Sequence, residues 1–307
     1  MRFLTAGESH GRCLTAIVEG IDAGTPIDVR SIDAELVRRQ MGHGRGGRMS
    51  IEQDRAEILS GVDDGFASGS PIAIRIWNKD FKIDVLPAVT RPRPGHADLA
   101  GVLKYDREDA RDILERASAR ETAARVAVGS ICKQYLALKG VGIASHVIAI
   151  GGVSAAGRPR SFERIRETAD KNAVRCCDRE ASARMLARID RAKRDGDTLG
   201  GLFEVWVRGL PGYALEDKEL HTRLVFGVMS VQAVKGVEVR ADDRDLIVTA
   251  AMKPIATLMR PLASVELRTK RTAFAVVERS DVTAVPACAV VAEAMVAFET
   301  AGYYRER

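Results

Sequence analysis

The sequence has 307 residues, 46% of them hydrophobic and 29% charged, which is enough apolar material for a large buried core. The net charge of +5 at pH 7 indicates an anionic ligand, but the excess is too small and too dispersed to indicate nucleic acid by itself. The five cysteines lack C-x-x-C spacing, so they predict neither a zinc site nor a disulfide framework, and we expect reduced thiols and no bound metal.

The N-terminal segment MRFLTAGESHG has neither the basic head nor the apolar run of a signal peptide. No apolar stretch is expected to reach the roughly 18 residues that a membrane-spanning helix needs. These two observations predict a soluble, cytoplasmic protein.

The predicted elements begin with two short strands, at 1–6 and 13–21, on either side of the polar loop GESHGR. A helix is predicted over 31–39, with Ser31 as its N-cap, and it runs directly into the segment RRQMGHGRGGRM. The alternating segment SPIAIRIW predicts a strand over 70–77.

Three helical regions follow. Acidic residues at the start and Gly140 after the end predict one long helix over 107–139, with a C-terminal half apolar enough to be buried on most sides. The charged region 161–195 predicts a helical, solvated surface, and the apolar segment VPACAVVAEAMVAFET predicts a last helix over about 285–300. The lack of regular βαβ alternation argues against a doubly wound fold.

Two segments share a pattern. DGFASGSPIAIRI (64–76) and DGDTLGGLFEVWV (195–207) both read D-G-x-x-x-G, then two residues, then alternating apolar positions. Two ordinary turn-and-strand units would also explain this pattern, and we slightly favour a duplicated β/α module.

Polar clusters in glycine-rich settings supply the candidate chemistry. In AGESHGR, His10 is a candidate general acid near neutral pH, although a loop histidine is more often a structural hydrogen-bonding group. In RRQMGHGRGGRM, Arg39, Arg45 and Arg48 are interleaved with glycines, which suits the close approach of a large polyanion; a solvated basic loop is the alternative. The GRGGR sequence is also similar to RNA-binding repeats, but it occurs once and lies between regular elements.

Further clusters lie downstream. RPRPGHADLAG places His96 in a proline-stiffened loop, and AMKPIAT offers a lysine in a similar setting. In ERASARET, Arg116 and Arg120 would stand one helical turn apart and repel each other by roughly 0.2–0.5 kcal/mol, which a bound anion would relieve. ERSDVTAVPA places Asp281 beside a helix start, where an N-cap is the simpler interpretation.

Seven segments, in the same order along almost the whole chain, resemble chorismate synthases: TAGESHGR, RRQMGHGRGGRM, RPRPGHADLAGVLKY, ERASARETAARVAVG, MSVQAVKGVEV, AAMKPIAT and ERSDVTAVPA. The resemblance implies an α+β fold, a β-α-β sandwich in which antiparallel sheets pack around central helices, with an internal pseudo-repeat, in one domain over 1–307. It also implies a homotetramer. The implied reaction is the 1,4-elimination of phosphate from 5-enolpyruvylshikimate 3-phosphate, a small anionic substrate, to give chorismate, and it depends on reduced FMN without net redox change.

The resemblance also implies roles for individual residues. His10 looks like the acid that protonates the departing phosphate, and His96 like the group that protonates or stabilises reduced flavin. Asp281 is similar to the residue that works with the flavin in removing the ring proton. The flavin-contacting positions would be Arg116, Ala117, Ser118, Gln232, Ala233, Lys253, Pro254, Ile255, Ala256, Thr257 and Arg279.

The arginines of the glycine-rich segment have two implied partners. Arg39, Arg45 and Arg48 would hold the polyanionic substrate beside the flavin. The positions of Arg39 and Arg45 are alternatively attached to NADPH, which would reduce the flavin. Both ligands carry phosphate, so the sequence leaves this choice open.

One departure from the family is large. Between VKGVEV and AAMKPIAT, a Gly/Asn-rich stretch of several dozen residues is replaced by RADDRDLIVT, and the segment 209–220 also looks compressed. We expect the natural protein to carry further loop residues near 209–220 and 239–247. A gene that lacks them would put flavin binding and activity in doubt.

Two other functions stay open. A basic nucleic-acid-binding protein would use GRGGR and the arginines of 183–194, but an aromatic content of 5% leaves few rings on which bases could stack. A non-catalytic relative that has lost the flavin loop would keep the fold but would not catalyse the elimination of phosphate. The enzyme interpretation, which we favour, places neither nucleic acid nor a membrane among the partners.

Overall fold

The computed structural model describes residues 1–157, 159, 161–278 and 280–307, except for the side chains of residues 49 and 50. Its helices are α1 Val29–Gln40, α2 Arg48–Ile51, α3 Asp98–Tyr105, α4 Arg111–Arg116, α5 Thr122–Ala137, α6 Phe162–Thr168, α7 Arg179–Asp195, α8 Gly212–Leu215, α9 Lys218–Met229 and α10 Val285–Arg305. Short 3-10 helices cover Ile83–Val85, Ala119–Glu121 and Ala169–Lys171. Its strands are β1 Arg2–Ala6, β2 Cys13–Glu19, β3 Ala56–Ser60, β4 Val62–Asp63, β5 Phe66–Ala67, β6 Ile72–Trp77, β7 Gly142–Ile150, β8 Val153–Ser154, β9 Gly201–Arg208, β10 Val234–Asp242, β11 Asp245–Met252, β12 Ala263–Val265 and β13 Thr272–Phe274.

The longer strands form two antiparallel sheets. The first has the order β1-β2-β6-β3 and the second the order β10-β11-β9-β7-β8. Strands β4 and β5, and strands β12 and β13, form two small separate hairpins. In the second sheet, β10 and β11 are joined directly, with Asp242 opposite Asp245.

Two helices lie between the sheets. Helix α5 packs on β2 and β6 of the first sheet, helix α10 packs on β7 and β9 of the second, and the two helices pack on each other. A Cβ atom at Gly129 of α5 would lie 2.3 Å from the Cα of Ala294 in α10, so glycine is what lets the two backbones touch. The resulting layers confirm the expected α+β sandwich around central helices.

The strand predictions are confirmed to within a few residues. In β6, Ile72, Ile74 and Ile76 are buried, as alternation on a sheet with one covered face requires. The two D-G-x-x-x-G segments each form a turn followed by a strand, β6 and β9, that occupies an interior position of its own sheet. Two ordinary turn-and-strand units would be placed in the same way, so the duplicated module stays a prediction.

The prediction of one helix over 107–139 is wrong. Helix α4 ends at Arg116, and Ser118 adopts an extended conformation in which its hydroxyl accepts a hydrogen bond from the backbone N–H of Arg120. The break leaves Arg116 exposed and turns Arg120 into a buried ion pair with Asp54. The predicted repulsion between two stacked arginines therefore does not arise.

Two other helix predictions need correction. Helix α1 begins at Val29, and its N-cap is Asp28 rather than Ser31, because the Asp28 carboxylate accepts from a backbone N–H of the first turn. The region 161–195 consists of α6 and α7 with an irregular segment between them. It is not wholly a solvated surface, since Met185 and Ile189 of α7 are buried in the core.

Helix α10, Val285–Arg305, is long and apolar enough to cross a membrane, contrary to the expectation from the sequence. Its most apolar window is 94% buried within the protein, so it is a core helix here. The five cysteines are free thiols.

The α10 helix carries a fully buried carboxylate, Glu293, into the centre of the molecule. Arg38 of α1 donates to both of its oxygens, at 2.8 and 2.9 Å, and Arg175 donates at 3.2 Å. Lys133 of α5 and Ser145 of β7 also donate to it. Burial would raise the pKa of Glu293, but the surrounding cations and hydrogen bonds outweigh it and hold the pKa well below the ordinary value of 4.5.

We expect Glu293→Gln to destabilise the protein by about 3–5 kcal/mol at pH 7, because the buried Arg175 and the half-buried Arg38 and Lys133 lose the buried carboxylate that they share. Since the folded-state pKa is depressed, the stabilisation is present above the ordinary value of 4.5 and is lost as pH falls below it. Urea unfolding at several pH values measures both effects. Glu306→Gln, at the exposed end of the same helix, is the control and should change stability by less than about 0.5 kcal/mol. An equally small effect at Glu293 would contradict the assignment.

Candidate active site

The loop between β1 and β2 places His10 against a buried carboxylate. The backbone N–H of His10 donates to Glu115 Oε2 at 2.8 Å, and His10 Nδ1 lies 3.0 and 3.1 Å from the two Glu115 oxygens. On the other side of the ring, Nε2 lies 3.6 Å from Asp80 Oδ2. Burial would raise the pKa of Glu115, but its hydrogen bonds to His10 and Arg111 prevail and lower it.

Hydrogen bonds to the backbone carbonyls and to Ser9 fix the loop that carries His10. Asn78 Nδ2 donates to the carbonyls of Ser9 at 3.3 Å and Gly11 at 2.7 Å, among others. Arg48 donates to both the hydroxyl and the carbonyl of Ser9, and Ser118 Oγ lies 3.1 Å from Ser9 Oγ. His10 is therefore held in a loop with little freedom to move.

The predicted arginine cluster forms around a buried carboxylate, Asp54. Arg39 and Arg120 each donate to one Asp54 oxygen at 2.6 Å. Burial lowers the pKa of Arg39 to about 10, which Asp54 opposes and the charges of Arg120 and Arg45 reinforce. Burial and the charge of Arg120 likewise lower the pKa of Arg48. The ion pairs of this cluster join four arginines, at positions 39, 45, 48 and 120, to three acids, Glu52, Asp54 and Asp281, so one positive charge is left in excess.

Asp281 joins this cluster from the C-terminal part of the chain. Its carboxylate accepts from the backbone N–H of Gly46 at 2.6 Å and pairs with Arg45 Nε at 3.0 Å. The N-cap of α10 is Ala284, so the interpretation of Asp281 as an N-cap is wrong. Its interactions with Gly46 and Arg45 instead connect the glycine-rich segment to the start of α10.

The arginine cluster has the properties of an internal anion site. The Nε–H groups of Arg39 and Arg48 are buried and have no hydrogen-bond partner among the described residues. Unsatisfied buried donors on cations favour an anionic ligand. The side chains of Arg39 and Arg45 are only 3% and 9% exposed, unlike the solvated or RNA-binding loop considered from the sequence.

His96 lies in a second ion-paired group. Its Nδ1 bonds to Asp98, which is fully buried and also accepts from Arg93 at 2.9 Å. Burial would raise the pKa of Asp98, but its bonds to His96 and Arg93 lower it strongly. Arg93 Nη1 donates in turn to Thr257 Oγ1 at 2.7 Å, and Lys253 donates to the Gly95 carbonyl. The His96 loop is thereby docked onto the segment 253–257.

The predicted flavin positions are joined by contacts. Arg116 donates to the Thr5 carbonyl at 3.0 Å, the Thr5 hydroxyl donates to Glu121 at 2.7 Å, and Gln232 donates to Glu121 at 3.3 Å. The Ala233 carbonyl accepts from the backbone N–H of residue 253 at 3.0 Å.

The remaining predicted flavin positions lie in the segments 116–118 and 253–257. Ala117 and Ala256 are half-buried, Pro254 is exposed, and the Ile255 carbonyl accepts from Thr198 Oγ1 at 2.7 Å. Arg279 lies outside the described residues. Because Ser118 contacts Ser9, and Arg48 contacts Ser9 in turn, the described candidates belong to one contact network.

Sequence reasoning missed the acids that organise this network: Glu52, Asp54, Asp80, Asp98 and Glu115, together with Asn78 and Arg111. Their partners are mostly distant in sequence, as with the 105 positions between His10 and Glu115. One signal was available, because Asp98 is two residues from His96 within the same motif.

Comparisons with known proteins identify the family to which this chain belongs. The family model described as chorismate synthase matches residues 1–242 and 240–304. A chorismate synthase of Symbiobacterium thermophilum is 47% identical over 370 aligned positions, covering 100% of this chain and 94% of the relative. A chorismate synthase of Syntrophotalea carbinolica is 45% identical, covering 98% and 92%. A crystal structure of chorismate synthase has a TM-score of 0.76 at 35% identity, covering 98% of this chain and 90% of that one.

We expect inorganic phosphate to stabilise the protein through the arginine cluster. At ten times its Kd, an anion that binds only the folded state adds about 1.4 kcal/mol, or about 3 °C in Tm for a chain of this size. Arg48→Gln should abolish the increase, measured by thermal unfolding with phosphate against chloride at equal ionic strength. Arg2→Gln, whose side chain is 74% exposed, should retain it. An unchanged increase in Arg48→Gln would place the anion elsewhere.

Proposed function

Since the chain belongs to the chorismate synthase family of enzymes, we propose that it is a carbon–oxygen lyase that eliminates phosphate from 5-enolpyruvylshikimate 3-phosphate to give chorismate, a step in aromatic amino acid biosynthesis. The observation that carries the proposal is the position of His10. Its loop is bonded to Arg48 through Ser9, so a proton donor and an anion-binding cluster share one wall of the site.

The substrate carries one phosphate and two carboxylates, which matches the excess of cations in the cluster. Arg39, Arg45 and Arg48 bind these anions, and the rigidity of their ion pairs lowers the cost of ordering them. His10 donates a proton to the departing phosphate. Asp281, fixed by Arg45 and Gly46, accepts the ring proton on the other side of the substrate.

The residues around 116–118, 232–233 and 253–257 fit reduced FMN. Their donor set includes the ammonium of Lys253, the guanidinium of Arg116, the amide of Gln232 and the hydroxyl of Ser118, which suits a polar ring with a phosphate. Burial and the charge of Lys235 lower the pKa of Lys253, and a bound anion would oppose that shift. Reduced flavin supplies electron density to the elimination without net redox change, and NADPH is the proposed reductant.

His96 acts beside this flavin position. Asp98 holds the ring through Nδ1, and Arg93 Nη2 lies 3.0 Å from Nδ1 and 3.3 Å from Nε2, so the imidazole would be fixed in place to stabilise reduced flavin. The interaction of Arg93 with Thr257 couples this ring to one of the flavin positions.

We further propose a cytoplasmic homotetramer without nucleic acid or membrane partners. On the outer face of the first sheet, Leu4 and Ile17 are cross-strand neighbours and are 66% and 38% exposed. Trp77 on the same sheet is 52% exposed. Exposed apolar side chains on one sheet favour contact with another subunit.

The length of the natural chain is a separate proposal. The family match divides at residues 240–242, and the 370 positions aligned with the Symbiobacterium relative exceed the 307 residues by 63. We propose one domain over 1–307 with additional loop residues near 239–247 and 209–220 in the natural protein.

We expect anaerobic protein with chemically reduced FMN to release phosphate from 5-enolpyruvylshikimate 3-phosphate and to form chorismate. His10→Ala should lower turnover by about 10²–10⁴-fold, the usual contribution of a general acid, while circular dichroism and Tm stay unchanged. Arg30→Ala, whose side chain is 93% exposed, is the matched control and should keep full activity. Phosphate release that needs no reduced flavin would overturn the proposal.

The intact mass of the protein from its native source tests the proposed length. A mass well above 33.3 kDa is expected. A measured mass of 33.3 kDa would show that the proposed additional loops are absent and that the direct turn between β10 and β11 is the native connection.

A further inference from the structure

The ring of His10 lies between two carboxylates that approach its two nitrogens separately. Glu115 contacts Nδ1 at 3.0 and 3.1 Å, and Asp80 stands 3.6 Å from Nε2. The Glu115 side chain has no exposed surface, whereas that of Asp80 is 14% exposed. The Nδ1 side is therefore sealed and the Nε2 side is the one that faces the site.

The ionisation of Glu115 determines which nitrogen carries the proton in neutral His10. An ionised carboxylate only accepts hydrogen bonds, so Nδ1 has to be the donor in this contact. The Nε2 nitrogen is then the one that gains and gives a proton. Arg111 supports this state, because it donates to Glu115 Oε1 at 3.2 Å.

Glu115 is also held in place from several directions. It sits in α4, one turn after Arg111, whose other nitrogen donates to Glu278 at 3.0 Å near the C-terminal part of the site. On the Nε2 side, Lys82 pairs with Asp80 at 3.0 Å. These groups, with Arg48 on the neighbouring Ser9, are the charges that face His10 from the elements around it.

We propose that Glu115 is a positioning residue that orients His10 with Nδ1–H toward α4 and Nε2 toward the departing phosphate. As the carbon–oxygen bond breaks, its electron pair leaves with the phosphate oxygen, which takes the Nε2 proton. His10 is left neutral with its remaining proton on Nδ1, facing Glu115. This inference rests on the proposed function, but its first test does not.

The first test is the tautomer of His10 in the resting protein. Nitrogen-15 NMR of the imidazole, assigned by comparison with His10→Ala, should show Nδ1 protonated in the neutral ring. Glu115→Gln should raise the population of the Nε2–H form, because the amide offers a donor as well as an acceptor. A neutral ring protonated at Nε2 in the wild type, or an unchanged ratio in the variant, would overturn the proposal.

The second test is kinetic. Glu115→Gln should lower turnover at pH 7 by about 10–100-fold while the KM for the substrate changes by less than about threefold, because the His10 ring loses the acceptor that orients it and the arginine cluster stays in place. Asp112→Asn, on the same helix and 72% exposed, should stay within about twofold of the wild type.

A double-mutant comparison shows whether Glu115 acts through His10. In a His10→Ala background, Glu115→Gln should change turnover by less than about twofold. A further loss as large as in the wild type would refute the positioning role. If the wild type releases no phosphate at all, the proposed function fails, and the NMR result alone decides the role of Glu115.

Discussion

Burial of the Glu293 carboxylate imposes the strictest constraint on this fold. An ionised group without exposed surface is unfavourable unless cations and hydrogen-bond donors surround it, and here they come from α1, α5, β7 and the segment before α7. These elements must converge on α10 for the charge to be compensated. Because Arg38 is one of the cations, the interaction fixes the C-terminal end of α1. The next residue, Arg39, belongs to the candidate site, so the core determines where the glycine-rich segment begins.

The candidate site, closer to the surface, also pairs buried charges with groups of opposite charge. Four side chains with proposed roles have an acid beside them: Arg39 has Asp54, Arg45 has Asp281, His10 has Glu115 and His96 has Asp98. These acids hold the cations in fixed directions before any ligand arrives, which is the preorganisation that electrostatic catalysis requires. In the arginine cluster, the acids are too few to neutralise all of the positive charge. Buried N–H groups of Arg39 and Arg48 remain without partners among the described residues, and a phosphate or carboxylate would satisfy them.

The sequence predicted those features that depend on local pattern. Alternation located β2 and β6, the continuous apolar run located α10, and the seven segments identified the family and nearly all the candidate residues. It failed where a distant contact decides the local structure. The predicted helix over 107–139 breaks because Ser118 turns to meet Ser9, more than a hundred residues away, and no propensity within ERASARET reports this contact. The acids were missed for the same reason, since Glu115 gives no sign in the sequence that it will contact His10, 105 positions away.

The direct turn between β10 and β11 falls between two of the seven family segments, but it affects the candidate site less than this location in the sequence indicates. The pairing of the two strands runs continuously from the turn to Arg240 and beyond, with one irregularity near Gly236. The site lies at the other end of this hairpin, where the Ala233 carbonyl meets the backbone of Lys253 at 3.0 Å. Eight residues of β10 separate the two ends, about 26 Å at roughly 3.3 Å per residue. Shortening a hairpin at its turn leaves the register at its base unchanged. Positions that relatives carry beyond this turn would therefore begin about 26 Å from the base of the hairpin, and the register that places Ala233 beside Lys253 does not depend on them.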